Sequence, residues 1–266
     1  MDKPIGIFDS GIGGLTVAKA ISEALPNENF IYFGDTAHLP YGDKSKESIR
    51  LYSKRISDFL VGKDCKAIVI ACNTASAHAY EILKKRHKNI PIINVIDPTV
   101  EYCSKKYNDQ SIGIIATKGT IKSRIYPRKI KKANASLSIP QTATPLLAPM
   151  IEEGFFNNNI SQTIINSYLS AKQLKSISAL ILACTHYPLI KPEVENFFKN
   201  KVEVIDSASV VADYTKALLK KKKLLSKKKK EGKKNFCISD YTSSFEATSR
   251  LFFGEKIKLE EERIWD

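Results

Sequence analysis

The sequence predicts an α/β protein of two pseudo-symmetric domains, each a mainly parallel sheet flanked by helices, with an active site in the cleft between them. Three observations predict it. Apolar runs of strand length alternate with amphipathic helical stretches along most of the chain, the pattern of βαβ units. Two of those runs mirror each other, Ile68-Val69-Ile70-Ala71-Cys72-Asn73-Thr74 and Leu180-Ile181-Leu182-Ala183-Cys184-Thr185-His186, each breaking at a cysteine followed by small polar residues. Three features of the first half also return in order: Gly6 at Gly113, Cys72 at Cys184 and Asp97 at Asp206, at separations of 107, 112 and 109 residues.

The elements follow one by one. Ile5 to Phe8 is a short strand ending in Asp9-Ser10-Gly11-Ile12-Gly13-Gly14, with a helix then running to near Leu25. Phe30 to Phe33 is a second strand, ending in Gly34-Asp35-Thr36. Between Lys46 and Val61, apolar residues at Ile49, Tyr52, Ile56, Phe59 and Leu60 keep a helical spacing. The Cys72 strand follows, then a helix to near His87 and a strand from Ile92 to Ile96 that ends at Asp97-Pro98. Ile112 to Ile115, followed by Ala116-Thr117-Lys118-Gly119, restarts the pattern, and Val202 to Ile205 with Asp206 closes it. The chain is expected to cross between domains near Asp97-Pro98 and again near Asp206-Ser207. The last sixty residues, with strand-like Phe236 to Ser239, return to the first domain. The predicted domains are therefore 1–97 plus 207–266, and 98–206.

Composition narrows the class. With 266 residues, 43% hydrophobic and 26% charged, the chain has the balance of a globular protein able to bury a sizeable core. No stretch approaches the roughly 18 consecutive apolar residues of a membrane span, so no membrane partner is expected. Met1-Asp2-Lys3-Pro4 runs straight into a strand, which predicts no signal peptide. Five cysteines, an odd set without paired spacing, argue against a disulfide framework and for a reducing cytoplasm. The net charge of +14 is concentrated: eleven lysines and one acid, Glu231, fall between Lys216 and Lys234, leaving only +4 elsewhere. That run reads as the solvated overrun of a surface helix and its following loop. The alternative, a nucleic-acid or other anionic patch, lacks an accompanying recognition motif or interleaved aromatics, so no nucleic-acid partner is expected.

Carboxyl ends of parallel strands are where α/β proteins place their ligands. Cys72 and Cys184 therefore put one thiol from each half where chemistry is expected, whereas Cys65, Cys103 and Cys237 read as buried, inert thiols. No second ligand stands at zinc-site spacing, so no metal is expected. A Cys–His hydrolase would use Cys184 and His186 but leave the symmetrical Cys72 idle. The glycines of Gly11-Ile12-Gly13-Gly14 lack the Gly-Lys-Ser/Thr ending of a phosphate loop, and nucleotide binding is discounted. For Asp9 two readings stand, a helix N-cap and a proton partner for a thiol. For His186 they are a packed core histidine and a proton partner.

Asp9-Ser10-Gly11, Gly34-Asp35-Thr36, Pro40-Tyr41-Gly42, Ala71-Cys72-Asn73-Thr74-Ala75 and Cys184-Thr185-His186-Tyr187-Pro188 resemble the signature segments of the glutamate racemases. These are the cofactor-independent members of the aspartate/glutamate racemase superfamily. The segments span Ile5 to Asp206 in family order. Departures are His38, where an arginine is common, Ala183, where a glycine is common, and the lysine-rich segment. His38 leaves fine substrate selectivity open.

The resemblance implies two-base inversion of glutamate without pyridoxal phosphate, metal or nucleotide. Cys72 would act on the D-enantiomer with Asp9, and Cys184 on the L-enantiomer with His186. Ser10, Tyr41, Gly42, Asn73, Thr74 and Thr185 would join Asp9 and His186 in holding the substrate. Thr117 and Thr120 would bind its second carboxylate or merely cap a helix. Glu152 would steer the substrate or His186, or be a solvated helix-end acid. The family further implies a homodimer that supplies D-glutamate for bacterial peptidoglycan. Three alternatives are a relative acting on aspartate, a catalytically inert amino-acid binder, and a nucleic-acid binder using the lysine run.

Overall fold

The computed structural model describes residues 3–265. From the amino end the chain runs β1 (Ile5–Asp9), α1 (Leu15–Ala24), β2 (Phe30–Gly34), α2 (Lys46–Gly62), β3 (Ala67–Ile70), α3 (Asn73–Arg86), β4 (Ile92–Asn94) and α4 (Ile96–Lys106). A second lobe follows with β5 (Ile112–Ala116), α5 (Lys118–Ser123), α6 (Ile125–Ala133), β6 (Gln141–Ala143), α7 (Leu147–Glu152), α8 (Asn159–Leu169), β7 (Ala179–Ala183), α9 (Lys191–Phe197) and β8 (Glu203–Asp206). Helix α10 (Ser207–Lys221) then leads to β9 (Lys234–Ile238), α11 (Ser243–Phe253) and β10 (Leu259–Glu261).

Two parallel sheets result, ordered β10-β9-β2-β1-β3-β4 and β6-β5-β7-β8. Their central strands are apolar and buried throughout because helices cover both faces. In the first sheet, α2 and α3 pack over Phe8, Phe33, Ile68 and Ile70. On the opposite face, α1, α10 and α11 join a core that holds Ile5 and Ile7 and runs without a break to Ile114 and Ile181 of the second sheet. The two lobes thus share apolar core at their junction.

The pseudo-symmetry extends to register. Gly6 pairs with Ile68 in the first sheet and Gly113 pairs with Leu180 in the second. Both glycines leave room for packing. A Cβ on Gly6 would lie 3.1 Å from Leu60, and one on Gly113 would lie 2.8 Å from Ile177.

The third sequence echo needs correcting. The strand expected over Ile92 to Ile96 stops at Asn94, and Ile96, Asp97 and Pro98 form the first turn of α4. Proline fits a first turn, where its missing N–H has no intrahelical partner to lose. The Asn94 side chain caps that turn, accepting from Ile96 N and Asp97 N, both at 2.8 Å. Asp206 does the same in the second lobe, accepting from Ala208 N at 2.8 Å. The counterpart of Asp206 is therefore Asn94, 112 residues earlier, the same separation as the two cysteines.

Candidate active site

A small cavity opens between the lobes at the carboxyl ends of interior strands, with Cys72 and Cys184 both in its lining. Cys72 follows β3 after Ala71 and is the N-cap of α3, its sulfur accepting from Ala75 N at 3.4 Å. Cys184 follows β7. Ser10, Tyr41, Gly42, Asn73, Thr74, Thr117, Glu152, Thr185 and His186 share the cavity wall, so of the expected site residues only Asp9 and Thr120 do not line it. Pro40, Ala148, Pro149 and Ala183 complete the lining and were not expected as site residues.

The two thiols have different companions. The Cys72 sulfur lies 3.7 Å from Ser10 Oγ. Burial pushes its thiol up to about 12, and the Asp9 carboxylate adds to the rise. Asp9 is fully buried beneath the cavity floor, with Oδ2 accepting from Gly14 N at 2.9 Å. Its other oxygen has no hydrogen-bond partner. Asp9 is not the N-cap of α1, a position held by Gly14 without a side-chain cap; its carboxylate instead ties the turn ahead of that helix and sits in the electrostatic field of Cys72.

On the opposite wall the Cys184 sulfur lies 3.6 Å from His186 Nδ1, and His186 Nε2 lies 2.7 Å from Glu152 Oε1. Burial opposes a charge on this imidazole. The sulfur and the carboxylate together outweigh it and raise His186 well above its usual range. The ring is also fixed sterically. Phe252 of α11 meets it edge-on with centroids 5.2 Å apart, and a Cβ on Gly13 would stand 2.4 Å from its Cε1. Glu152, the last residue of α7, is thus directed at His186 rather than at solvent.

Polar bonds cross the cleft. Thr74 Oγ1 meets Thr117 Oγ1 at 3.0 Å and Thr120 Oγ1 at 3.3 Å, and Thr117 also caps α5 by accepting from Thr120 N. Thr16 Oγ1 donates to the Thr185 carbonyl at 2.9 Å. Tyr126 donates to Asn73 Oδ1 at 2.7 Å. The Tyr41 hydroxyl donates to buried Asp35 at 2.6 Å, and His38 contacts the other oxygen of that carboxylate at 2.9 Å. His38 does not line the cavity and is tied through Asp35 to Tyr41, which does.

Other features lie elsewhere. The lysine-rich segment joins α10 to the amino end of β9, the end of the sheet remote from Cys72. A larger groove beside α3 and α6, containing Arg50, His78 and Arg128, includes neither thiol. Among the described residues, no group of three or more His, Cys, Asp or Glu side chains is placed to hold a metal ion. No described helix is long and apolar enough to cross a membrane.

The buried carboxyl allows a stability test. Burial raises the Asp9 pKa from 3.8, against the lowering effects of His186 and the backbone N–H groups. A group raised on folding favours the folded state below its unfolded pKa, and that contribution is lost as pH rises through the folded pKa. At neutral pH the ionised carboxylate therefore costs stability. Asp9→Asn is expected to unfold about 2–4 °C above wild type at pH 7, with the gap narrowing towards pH 4. Thermal melts at both pH values test this, and a melting point at pH 7 below wild type would contradict it.

Residues 5–215 match the family model described as Asp/Glu/Hydantoin racemase. A glutamate racemase from Geobacter metallireducens is 40% identical over 255 residues, covering 96% of this chain and 94% of that protein. The crystal structure of the glutamate racemase of Francisella tularensis in complex with D-glutamate matches with a TM-score of 0.93 and 38% identity, over 99% of this chain and 98% of that one. A glutamate racemase isoform from Bacillus anthracis matches with a TM-score of 0.92 and 32% identity, over 98% and 97% of the two chains.

Proposed function

We propose that this chain, which belongs to the Asp/Glu/Hydantoin racemase family, is a glutamate racemase that inverts its substrate by two-base proton transfer between Cys72 and Cys184. The observation that carries the mechanism is that an interior strand of each sheet leads into a thiol, and both thiols line one cavity with separate acid–base companions. The substrate follows from the relatives, which are named glutamate racemases and one of which binds D-glutamate.

Inversion at an α-carbon removes a proton from one face and returns one to the other. In the L-to-D direction the Cys184 thiolate takes the α-proton, and the C–H electron pair passes into the substrate carboxylate. The Cys72 thiol then protonates Cα from the opposite face, and the reverse direction exchanges the roles. This reading is supported by a Cys72 held protonated by burial and by a His186 imidazole whose pKa is raised beside the Cys184 sulfur. Asp9 and His186 are assigned the proton exchange that resets the pair.

The α-proton is far less acidic than a thiol, so the developing charge needs stabilisation. The N-terminus of α3, with the side chains of Asn73 and Thr74, supplies donors for the α-carboxylate. Thr117 and Thr185 are assigned to the remaining polar contacts, with Ser10, Tyr41 and Gly42 closing the cavity.

We further take residues 1–97 with 207–266 as one domain and 98–206 as the other, a division supported by the pairing of β9 with β2. By family resemblance, D-glutamate from this reaction feeds peptidoglycan synthesis in the bacterial cytoplasm, and the enzyme is a homodimer. The test is incubation of the purified protein with L-glutamate or L-aspartate in deuterated water without added cofactor. Racemisation of glutamate with deuterium entering Cα is expected. Preference for aspartate would overturn the substrate. Tight glutamate binding with no exchange would overturn the reaction.

A further inference from the structure

We propose that Tyr126 is a positioning residue for the substrate α-carboxylate, acting through the side-chain amide of Asn73. The inference rests on the glutamate racemase reading and concerns a residue that none of the sequence motifs contains. Tyr126 belongs to α6 in the second lobe and is 1% exposed. Its hydroxyl reaches across the cleft and donates to Asn73 Oδ1 at 2.7 Å.

An asparagine amide has one accepting end and one donating end. Tyr126 occupies the accepting end. The donating end, Nδ2, is buried without a partner, on a side chain that is 3% exposed and lines the cavity. A buried amide left unpaired is unfavourable, and an oxygen of a bound ligand repairs it. In the opposite amide orientation the carbonyl oxygen would be the free end and would repel a carboxylate. With the Tyr126 proton on Oδ1, the end left free is the N–H₂ that suits an anion.

Position assigns the anion. Asn73 adjoins Cys72 and opens α3, so its free N–H₂ lies beside backbone N–H groups at a helix N-terminus. The sulfur of Cys72 must approach Cα, which places the α-carboxylate, rather than the side-chain one, next to Asn73. Because Tyr126 and Asn73 belong to different lobes, the donor is aimed only while the lobes are together.

The test is a double-mutant cycle on Tyr126→Phe and Asn73→Ala, reading KM, kcat and the calorimetric Kd for D-glutamate. Loss of one hydrogen bond to a charged group predicts a rise of about tenfold in KM and Kd for Tyr126→Phe. Because negative charge develops on that carboxylate in the transition state, kcat/KM is expected to fall by more than Kd rises. The double variant should be no worse than Asn73→Ala alone. Wild-type Kd in Tyr126→Phe, or full additivity of the two substitutions, overturns the proposal. A readout that needs no folded Tyr126 variant is the Asn73 side-chain N–H₂ resonance of wild type, identified by its loss in Asn73→Ala. It should shift downfield on saturation with glutamate, and an unmoved resonance overturns the proposal. Failure of wild type to bind glutamate would sink the glutamate reading itself.

Discussion

Replacing either Cys72 or Cys184 with serine is expected to lower kcat/KM for glutamate racemisation by roughly 10³-fold, within the span attributed to a positioned general base or acid. A hydroxyl has nearly the volume of a thiol but is far less acidic, so the substitution removes the proton carrier with little change in packing. The loss must be equal in the two directions. L- and D-glutamate have the same free energy in water, so the ratio of the two kcat/KM values is fixed at unity whatever the mutation does. Steady-state rates therefore cannot tell which face each thiol serves.

Exchange can. In Cys72→Ser, Cys184 still removes the α-proton of L-glutamate and returns a solvent deuteron to the same face, while D-glutamate stays unlabelled. Cys184→Ser is expected to show the converse. Proton NMR in deuterated water reads both enantiomers. If the two variants racemise and exchange as wild type does, the thiols are structural and two-base chemistry at this pair is wrong.

Why these two cysteines stood out in the sequence is a matter of local chemistry. A buried parallel strand must be apolar along its whole length, so the residue where polarity resumes marks the carboxyl end of the strand, and Cys72 and Cys184 occupy that position. Asn94 was harder to identify. Strand and first helical turn are both apolar around Val95 and Ile96, and only the side-chain bonds from Asn94 mark where one becomes the other.

The supporting residues were not legible at all. Tyr126 is 53 residues from Asn73, and Thr16 is 169 residues from Thr185. Neither carries a local pattern different from that of a core tyrosine or a helix threonine. Phe252 reads as one more apolar position on α11 until the fold sets its ring edge against His186. Motifs reveal groups that act from strand ends. The groups that orient them come from other elements, and only the tertiary structure brings them near.

His186→Asn is expected to lower kcat/KM by roughly 10²-fold or more, and Glu152→Gln explains why through pH. The imidazole is raised by Cys184 and Glu152 against the opposing effect of burial. As pH rises through that elevated value, the imidazolium is lost and the Cys184 sulfur no longer faces a cation. The same loss withdraws stability, which His186 contributes in full below its unfolded pKa of about 6.5. Glu152→Gln retains a hydrogen-bonding oxygen of similar reach but removes its charge, so the His186 pKa must fall. The alkaline limb of kcat/KM is then expected to move to lower pH, with activity at the optimum reduced less than in His186→Asn. Superimposable pH profiles for Glu152→Gln and wild type would show that Glu152 does not tune this histidine. In His186→Asn no imidazole remains, and the limb should vanish rather than shift. A limb that persists there belongs to another group, with Cys72, held near 12 by burial and Asp9, the group to examine on the opposite wall.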